Sequence, residues 1–276
     1  MGSFTEKVAV VTGAGSGIGR ALAGRLAAEG ASLALCDMDG DAVEDTAASA
    51  RDVGVPVYVE PVDVADRAAV NAFAGNVRAE FGIVHQIYNV AGIAFVGRIE
   101  NLEYADLHRV MDVNFWGVVH GTKEFLPHLI ESGDGHVVNI SSVFGIVAAP
   151  WMSGYDAAKF AVRGFTEALR AEMLATRRPV KVTCVHPGGV RTDIVRHADA
   201  APGEDLPAVQ RRFEMLAMST ADGAAKAIVR GVRHGRGRVL IGPDAHAADL
   251  AQRLTGVGYE RVTALAARWF VPSANK

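Results

Sequence analysis

The chain has little cysteine, no excess of basic charge and no long apolar run, and each shortage excludes something. Its two cysteines, Cys36 and Cys184, both lie in apolar strand-like stretches without metal-ligand spacing. They support neither a zinc site nor a disulfide framework, and read as reduced core residues of a cytosolic protein; no metal is expected. Acidic residues (31) outnumber Lys plus Arg (28), giving −3 with no strongly basic stretch, so nucleic acid is not an expected partner. No apolar run reaches the ~20 residues of a membrane span. The opening Met-Gly-Ser-Phe-Thr-Glu-Lys lacks the apolar core of a secretory signal, and Glu6 breaks the myristoylation pattern that Gly2 would start. What remains is 276 residues, 50% hydrophobic and 21% charged, without repeat or linker. This predicts a soluble, cytoplasmic chain forming a single domain over 1–276.

What is present is an alternation of apolar strands and amphipathic helices. Residues 7–12 (Lys-Val-Ala-Val-Val-Thr) predict a buried parallel strand ending in Gly13-Ala-Gly-Ser-Gly-Ile-Gly19, after which Ile18, Leu22 and Leu26 mark one stripe of a helix. Strand, glycine loop and helix N-terminus make a pyrophosphate site, because glycine lets the backbone approach and the helix end presents free amides. The spacing Gly13-x-x-x-Gly17-x-Gly19 misses the Gly-x-Gly-x-x-Gly fingerprint, and a bare tight turn is the alternative. A second strand over 31–36 ends at Asp37, 18 residues beyond Gly19. A carboxylate there accepts hydrogen bonds from ribose hydroxyls and repels a 2′-phosphate, favouring NAD over NADP; a solvated turn carboxylate is the alternative. Asp39 and Asp41 read as solvated or helix-capping charges. After a strand over 55–60, Asp63, followed by Val64, either reaches an adenine amino group or closes a turn.

Further on, a strand over 84–88 runs into Asn89-Val-Ala-Gly92, whose small residues let backbone pass close to a ligand. A long helical pattern over 104–130 holds Asn114 among Val113, Phe115 and Trp116; a buried amide there needs backbone partners at a kink or a bound water. His108 and His120 on the same pattern read as ordinary or satisfied histidines. A strand over 136–140 ends at Ser141-Ser142, and thirteen residues later comes Tyr155-Asp-Ala-Ala-Lys159. Four residues apart on a helix, phenol and ammonium rise about 6 Å and share a face. A free phenol with a pKa near ~10 is a poor base, and a lysine cation beside it favours the phenolate. Such pairs also occur on ordinary helix surfaces. A sixth strand over 180–185 leads to His186-Pro-Gly-Gly-Val-Arg-Thr192, residues 193–218 form a flap with one apolar side, and residues 238–241 make the last strand.

Taken together these residues resemble the short-chain dehydrogenase/reductases, in their single-domain branch. Thr12-Gly13-x-x-x-Gly17-x-Gly19 is similar to that family's cofactor loop, and Asn89-Val-Ala-Gly92 to its Asn-Asn-Ala-Gly segment, with Val90 departing from the commoner Asn. Asn114, Ser142, Tyr155 and Lys159 fall in the order of its catalytic tetrad, and Pro187-Gly188 followed by Thr192 resembles its nicotinamide loop. The resemblance covers residues 7–241. It implies a three-layer, doubly wound α/β Rossmann fold with a seven-stranded parallel sheet and an NAD-dependent oxidoreductase acting on a secondary alcohol or ketone. Tyr155 is then the acid-base, Ser142 holds the substrate oxygen, Lys159 holds ribose hydroxyls and depresses the tyrosine pKa, and Asn114 holds a relay water. The implied cofactor contacts are Gly13, Ser16, Gly17, Ile18, Gly19, Asp37, Asp63, Val64, Asn89, Ala91, Gly92, Pro187, Gly188, Val190 and Thr192, with Tyr155 and Lys159.

Val143, Phe144, Pro150, Trp151 and Met152 beside the chemistry, with Ile194, Phe213 and Met215 on the flap, predict an apolar substrate, steroid-, terpenoid- or fatty-acyl-like. The alternative is that several merely pack the loop. A 3-oxoacyl-thioester reductase of the same family and a non-catalytic NAD sensor are the rival functions; a methyltransferase has no need of Ser142, Tyr155 and Lys159. A homotetramer is implied by the resemblance, and Ala157, Ala158, Ala161 and Ala168 let another helix approach closely, with Phe115 and Trp116 beside them. The helical extension over 244–276 carries Leu250, Leu254, Val262, Leu265, Trp269 and Phe270 on apolar stripes, opposite Arg253, Arg261 and Arg268. Those stripes face their own subunit, a partner subunit or, less in keeping with the composition, an anionic membrane surface.

The reading of Asp37 has a direct test. Asp37→Ser with a neighbouring arginine introduced should shift cofactor preference from NADH toward NADPH by removing a repulsion of about 2–3 kcal/mol, read as the ratio of the two Kd values. Tighter binding of NADPH than NADH by the unaltered chain contradicts the reading.

Overall fold

Runs of β-branched residues become the strands of one parallel sheet. The computed structural model describes residues 4–192, 194 and 196–270, the side chains of 266 and 268–270 excepted. The strands are β1 (Val8–Thr12), β2 (Ser32–Asp37), β3 (Val57–Pro61), β4 (Gln86–Asn89), β5 (Gly135–Ile140), β6 (Val180–Pro187) and β7 (Arg238–Ile241). They lie in the order β7-β6-β5-β4-β1-β2-β3, all neighbours parallel. Pairing of Thr12 with both Cys36 and Asn89 aligns the carboxyl ends of β2, β1 and β4 at the point where the strand order reverses. That is where such sheets open a crevice for ligands.

The pleat assigns the two helical layers. Ala9 and Val11 face a core with Leu22 and Leu26 of α1 (Gly17–Ala28), Val43 and Ala47 of α2 (Gly40–Asp52), and Ile228 and Val232 of α8 (Ala221–Arg233). Val10, on the opposite face, joins Val70 and Phe73 of α3 (Arg67–Phe81), Phe125 and Leu129 of α5 (Gly117–Glu131), and Leu169 and Met173 of α6 (Ser153–Ala175). Alternation on a sheet buried on both faces produces this three-layer, doubly wound arrangement.

Several boundaries differ from the sequence expectation. The helical pattern over 104–130 is not one α-helix: α4 (Tyr104–Met111) gives way to a π turn at Asp112–Trp116 before α5 begins. The wider turn sets Asn114 inward, where it is fully buried and bonded to backbone. Strand β6 runs on through His186 and Pro187, because β7 lies beside it as far as Ile241. In the expected flap, Asp193 and Val195 lie outside the described residues; Asp199–Ala200 pairs with Phe95–Val96, and Leu206–Leu216 forms α7. The C-terminal extension is two helices, α9 (Pro243–Thr255) and α10 (Tyr259–Phe270). Leu250, Leu254, Val262 and Leu265 on them are exposed, so these side chains do not pack on their own subunit; those of Arg268, Trp269 and Phe270 lie outside the described residues. Among the described residues no helix is long and apolar enough to cross a membrane.

One interior group links the sheet to pH. His136 on β5 is buried, with Nε2 2.8 Å from Thr183 Oγ1, and Thr183 gives its own proton to the Arg236 carbonyl at 2.6 Å. The hydroxyl is therefore an acceptor and His136 Nε2 carries the hydrogen. Burial pulls its pKa down to about 4, well below the ordinary histidine value. The folded value lies below the unfolded one, so the unfolded chain binds more protons as pH falls, and stability present above the unfolded pKa is lost toward the folded pKa. Other shifted groups are common to both chains, so the difference in unfolding free energy between the unaltered chain and His136→Gln, from urea titrations, should be steady above pH ~7 and fall by ~3 kcal/mol toward pH ~4. A profile unchanged by the substitution contradicts the assignment.

Candidate functional site

The glycine loop after β1 is held by its neighbours at the sheet's carboxyl edge. Thr12 Oγ1 accepts the amides of Val90 (3.0 Å) and Ala91 (3.2 Å), drawing the end of β4 against the loop. Gly13 has φ +65°, and a Cβ there would meet the Ala91 backbone; one on Gly19 would strike the Gly13 carbonyl. These two positions accept only glycine for steric reasons. Asp37 reaches back over the loop: Oδ2 accepts the Gly15 amide at 2.9 Å and Oδ1 the Asp39 amide at 3.1 Å. Arg20 ties the loop to α2 through the Gly15 carbonyl and Thr46.

The N-terminus of α1 has neither a capping side chain nor an acid in its first turn. Asp39, Asp66, Asp205 and Thr220 each cap a helix with a side-chain oxygen, whereas exposed Ser16 makes no such bond. Gly17, Ile18 and Gly19 thus begin a helix whose free amides face outward beside a cradle only glycine permits. That donor set fits an anionic dinucleotide backbone. Thr192 lies against Gly17, so the loop after β6, with Pro187, Gly188 and Val190, closes on the same cradle.

Two expected contacts are put to other use by the fold. Asn89 turns its side chain into the interior, where Nδ2 donates to Asn139 (2.8 Å) and Thr122 (3.1 Å). Only its backbone remains at the cleft. Asp63 Oδ1 accepts the Ala65 amide at 2.9 Å, as a turn carboxylate does, and the Val64 carbonyl accepts from His120 Nδ1 at 3.0 Å. His120 is therefore the satisfied histidine it was expected to be. Asp39 caps α2 through the Ala42 amide.

The tetrad residues converge at the ends of β4 and β5. Asn114 clamps Ile93, accepting its amide at 3.1 Å and donating to its carbonyl at 2.9 Å. A Cβ on Gly92 would come to 2.7 Å from Asn114 Oδ1 and 3.5 Å from Lys159 Nζ, so this glycine lets the two approach one cleft. Lys159 Nζ donates to the Ile140 carbonyl at 3.1 Å and stands 5.6 Å from the centroid of the Tyr155 ring. Ser142 Oγ accepts the Phe144 amide at 3.1 Å while its carbonyl accepts from His186 Nδ1 at 3.0 Å. Burial pushes the Tyr155 phenol up to about 12, against the pull of the Ser142 hydroxyl and with a smaller upward push from Asp156. Burial also brings the Lys159 ammonium down to about 8. In the protein by itself, then, desolvation holds Tyr155 as the phenol; the depressed pKa expected from the lysine and an oxidised nicotinamide together refers to the occupied site.

On the substrate side, Phe144 and Met152 join Phe95, Val110 and Ala201 around Tyr155. Trp151, at φ +65° with its carbonyl accepting the Gly97 amide, lines a small cavity with Leu102, Leu107 and the same Phe95 and Val110. Ile194 is half-buried and not among the side chains packed around the phenol; Met215 is exposed. The flap comes over the site by other residues. Arg109 pairs with Asp199, and the Arg98 amide donates to Glu204 at 3.3 Å.

Sequence reasoning missed three groups here. Asp156 follows Tyr155 and is buried, accepts the Ala149 amide at 2.7 Å, and has its pKa raised by burial to about 7; an acid in the first turn of an apolar helix was the signal for it. His186 backs Ser142, with burial holding it neutral at about 4. Asp244 accepts the Gly189 amide, and no local pattern connects residues so far apart.

Comparison with known proteins agrees with this geometry. The family model described as short chain dehydrogenase matches residues 7–203. The putative oxidoreductase SadH of Mycobacterium tuberculosis is 54% identical over 276 residues, the whole of both chains. Among solved structures, a short-chain dehydrogenase/reductase from Burkholderia phymatum in complex with NAD superposes with a TM-score of 0.86 at 30% identity, covering 95% of this chain and 96% of that one. An alcohol dehydrogenase from Thermococcus sibiricus complexed with 5-hydroxy-NADP superposes with a TM-score of 0.74 at 28% identity, covering 85% and 95%.

Proposed function

The chain belongs to the short-chain dehydrogenase family, and on that footing we propose that it is an NAD(H)-dependent oxidoreductase interconverting an apolar secondary alcohol and its ketone. The observation that carries the reading is the convergence of a buried phenol, hydroxyl and ammonium, Tyr155, Ser142 and Lys159, at the carboxyl edge of the sheet.

The residues fit a nicotinamide dinucleotide. Gly13, Ser16, Gly17, Ile18 and Gly19 would hold the pyrophosphate at the uncapped end of α1, and Asp37 the adenosine ribose. Asp63 and Val64 would border the adenine, with Asn89 (by its backbone), Ala91 and Gly92 along the cleft. Pro187, Gly188, Val190 and Thr192 would hold the nicotinamide, and Lys159 its ribose hydroxyls. Bound there, the dinucleotide supplies the hydride acceptor or donor.

The chain's own residues handle orientation and the proton. Ser142 donates to the substrate oxygen, and Tyr155 gives that oxygen a proton in carbonyl reduction or takes one in alcohol oxidation. With its pKa at about 12, Tyr155 stands ready as the donor. Oxidation at pH ~7.5 asks the bound site to favour the phenolate by roughly 6 kcal/mol over the protein by itself, in which Lys159 is already present, so that stabilisation has to come with the bound ligands. Asn114, clamped to Ile93, shapes the wall beside Lys159 and would hold the relay water. Phe144, Met152, Phe95 and Val110 around the phenol support an apolar substrate and exclude water from the proton transfer. Sheet, flap and C-terminal helices act as one domain, which we assign to the cytoplasm. Exposed Trp116 and Phe160, on adjoining helices, support pairing of subunits into a homotetramer.

Tyr155→Phe should retain NADH binding and lose turnover by at least about a thousandfold, whereas Lys159→Ala should weaken NADH binding as well as rate. A Tyr155→Phe protein with most of its activity contradicts the assignment. In sedimentation the full chain should run as a tetramer, and a monomer would overturn the proposed assembly.

A further inference from the structure

The segment after β7 is fastened to both loops that flank the cleft. At its start Gly242, with φ +92°, turns the chain into α9, and the carboxylate of Asp244 in the first turn lies under the Pro187-Gly188-Gly189 bend. Asp244 Oδ2 accepts the Gly189 amide at 2.5 Å. A Cβ on Gly188 would collide with both carboxylate oxygens, so backbone and carboxylate are in direct contact. The other oxygen, Oδ1, is buried without a protein partner. Further along, α9 packs on the turn Val143–Gly145 that follows Ser142, and Asp249 is held by Arg238 at 2.7 Å and Arg253 at 3.0 Å. At the start of α10 the half-buried Tyr259 accepts the Ala148 amide on its hydroxyl at 3.1 Å. Ala148 belongs to the segment carrying Phe144, Trp151 and Met152, and the next amide, Ala149, is held from the other side by Asp156.

We propose that residues 243–259 are a strap coupling the loop after β6 to the loop after β5, with Asp244 and Tyr259 as positioning residues for cofactor and substrate sides respectively. The proposal rests on the dehydrogenase reading and adds a function for the C-terminal extension. A charge-assisted bond from a carboxylate to a loop amide is among the stronger hydrogen bonds, so Asp244 sets the shape of the Pro187–Thr192 segment more firmly than the neutral Tyr259 contact sets that of Ala148. Because both anchors sit on one continuous segment, fastened between them by the Asp249–Arg238 pair, ordering of one loop restrains the other.

The test uses the full chain, NADH as the probe, and amide hydrogen exchange of segments 146–152 and 187–192 with and without NADH. In the unaltered chain NADH is expected to slow exchange in both segments. Asp244→Ala should raise the NADH Kd about tenfold or more. Asp244→Asn, which keeps an acceptor for Gly189, should recover most of that loss and serves also if the alanine variant folds poorly. Tyr259→Phe should leave the NADH Kd within about twofold, with 187–192 still protected by NADH and the protection of 146–152 lost. If the unaltered chain binds NADH and all three variants match it in Kd and in exchange of both segments, the strap is overturned and the dehydrogenase reading stands. If the unaltered chain does not bind NADH, the dehydrogenase reading falls and takes the strap with it.

Discussion

Burial of one ammonium group organises this site. Lys159 is 3% exposed, and the Ile140 carbonyl accepts one of its three protons. Removing a lysine cation from water is expensive, and this carbonyl offsets only part of that, so burial brings the ammonium down to about 8. Gly92 lacks the Cβ that would crowd Lys159 and Asn114. Gly145 likewise makes room for Ser141, which donates to the Lys159 carbonyl at 2.8 Å and so locks that turn of α6 onto the end of β5. The π turn in the helix opposite sets Asn114 facing the same cleft. Tyr155 follows from this, since four residues along one helix face leave the phenol and the ammonium little freedom to separate.

The same group explains why the chemistry needs a bound partner. Burial works against charge on both members of the pair, pushing the phenol up to about 12 and the ammonium down to about 8. A site in that condition favours a proton donor, and ligand hydroxyls and charge shift the balance once they enter. The walls are already apolar and the donors already fixed, so such a ligand meets a preorganised environment.

Much of this was legible in the chain because the decisive spacings are local. The glycines from 13 to 19, the acid at the end of β2 and the Tyr155-to-Lys159 interval each belong to one element or one turn, and each stands where its periodicity implied. Less legible were features set by neighbours distant in sequence. Asn89 looked like a cleft residue, yet Asn139 and Thr122, 50 and 33 positions away, turn its side chain inward. The break at Asp112–Trp116 was legible only as one of two readings of a polar Asn114 in an apolar run, a kink or a bound water; the clamp that holds it reaches back to Ile93. The depth at which Tyr155 is buried was illegible for the same reason: a lysine four residues away is visible in sequence, whereas burial is a property of the whole packing. The C-terminal helices read as apolar stripes, but what ties them down is polar, at Asp244, Asp249 and Tyr259.

The central claim is that this crevice transfers hydride between a nicotinamide dinucleotide and a carbon bearing oxygen, with NAD preferred. The most direct measurement is absorbance of reduced nucleotide when the full chain is mixed with NAD and a panel of apolar secondary alcohols, with NADP run in parallel and sugars and polyols as the polar comparison. The account predicts NADH formation led by the apolar alcohols and slower with NADP. No reduced nucleotide from any alcohol, or faster reduction of NADP, would contradict it.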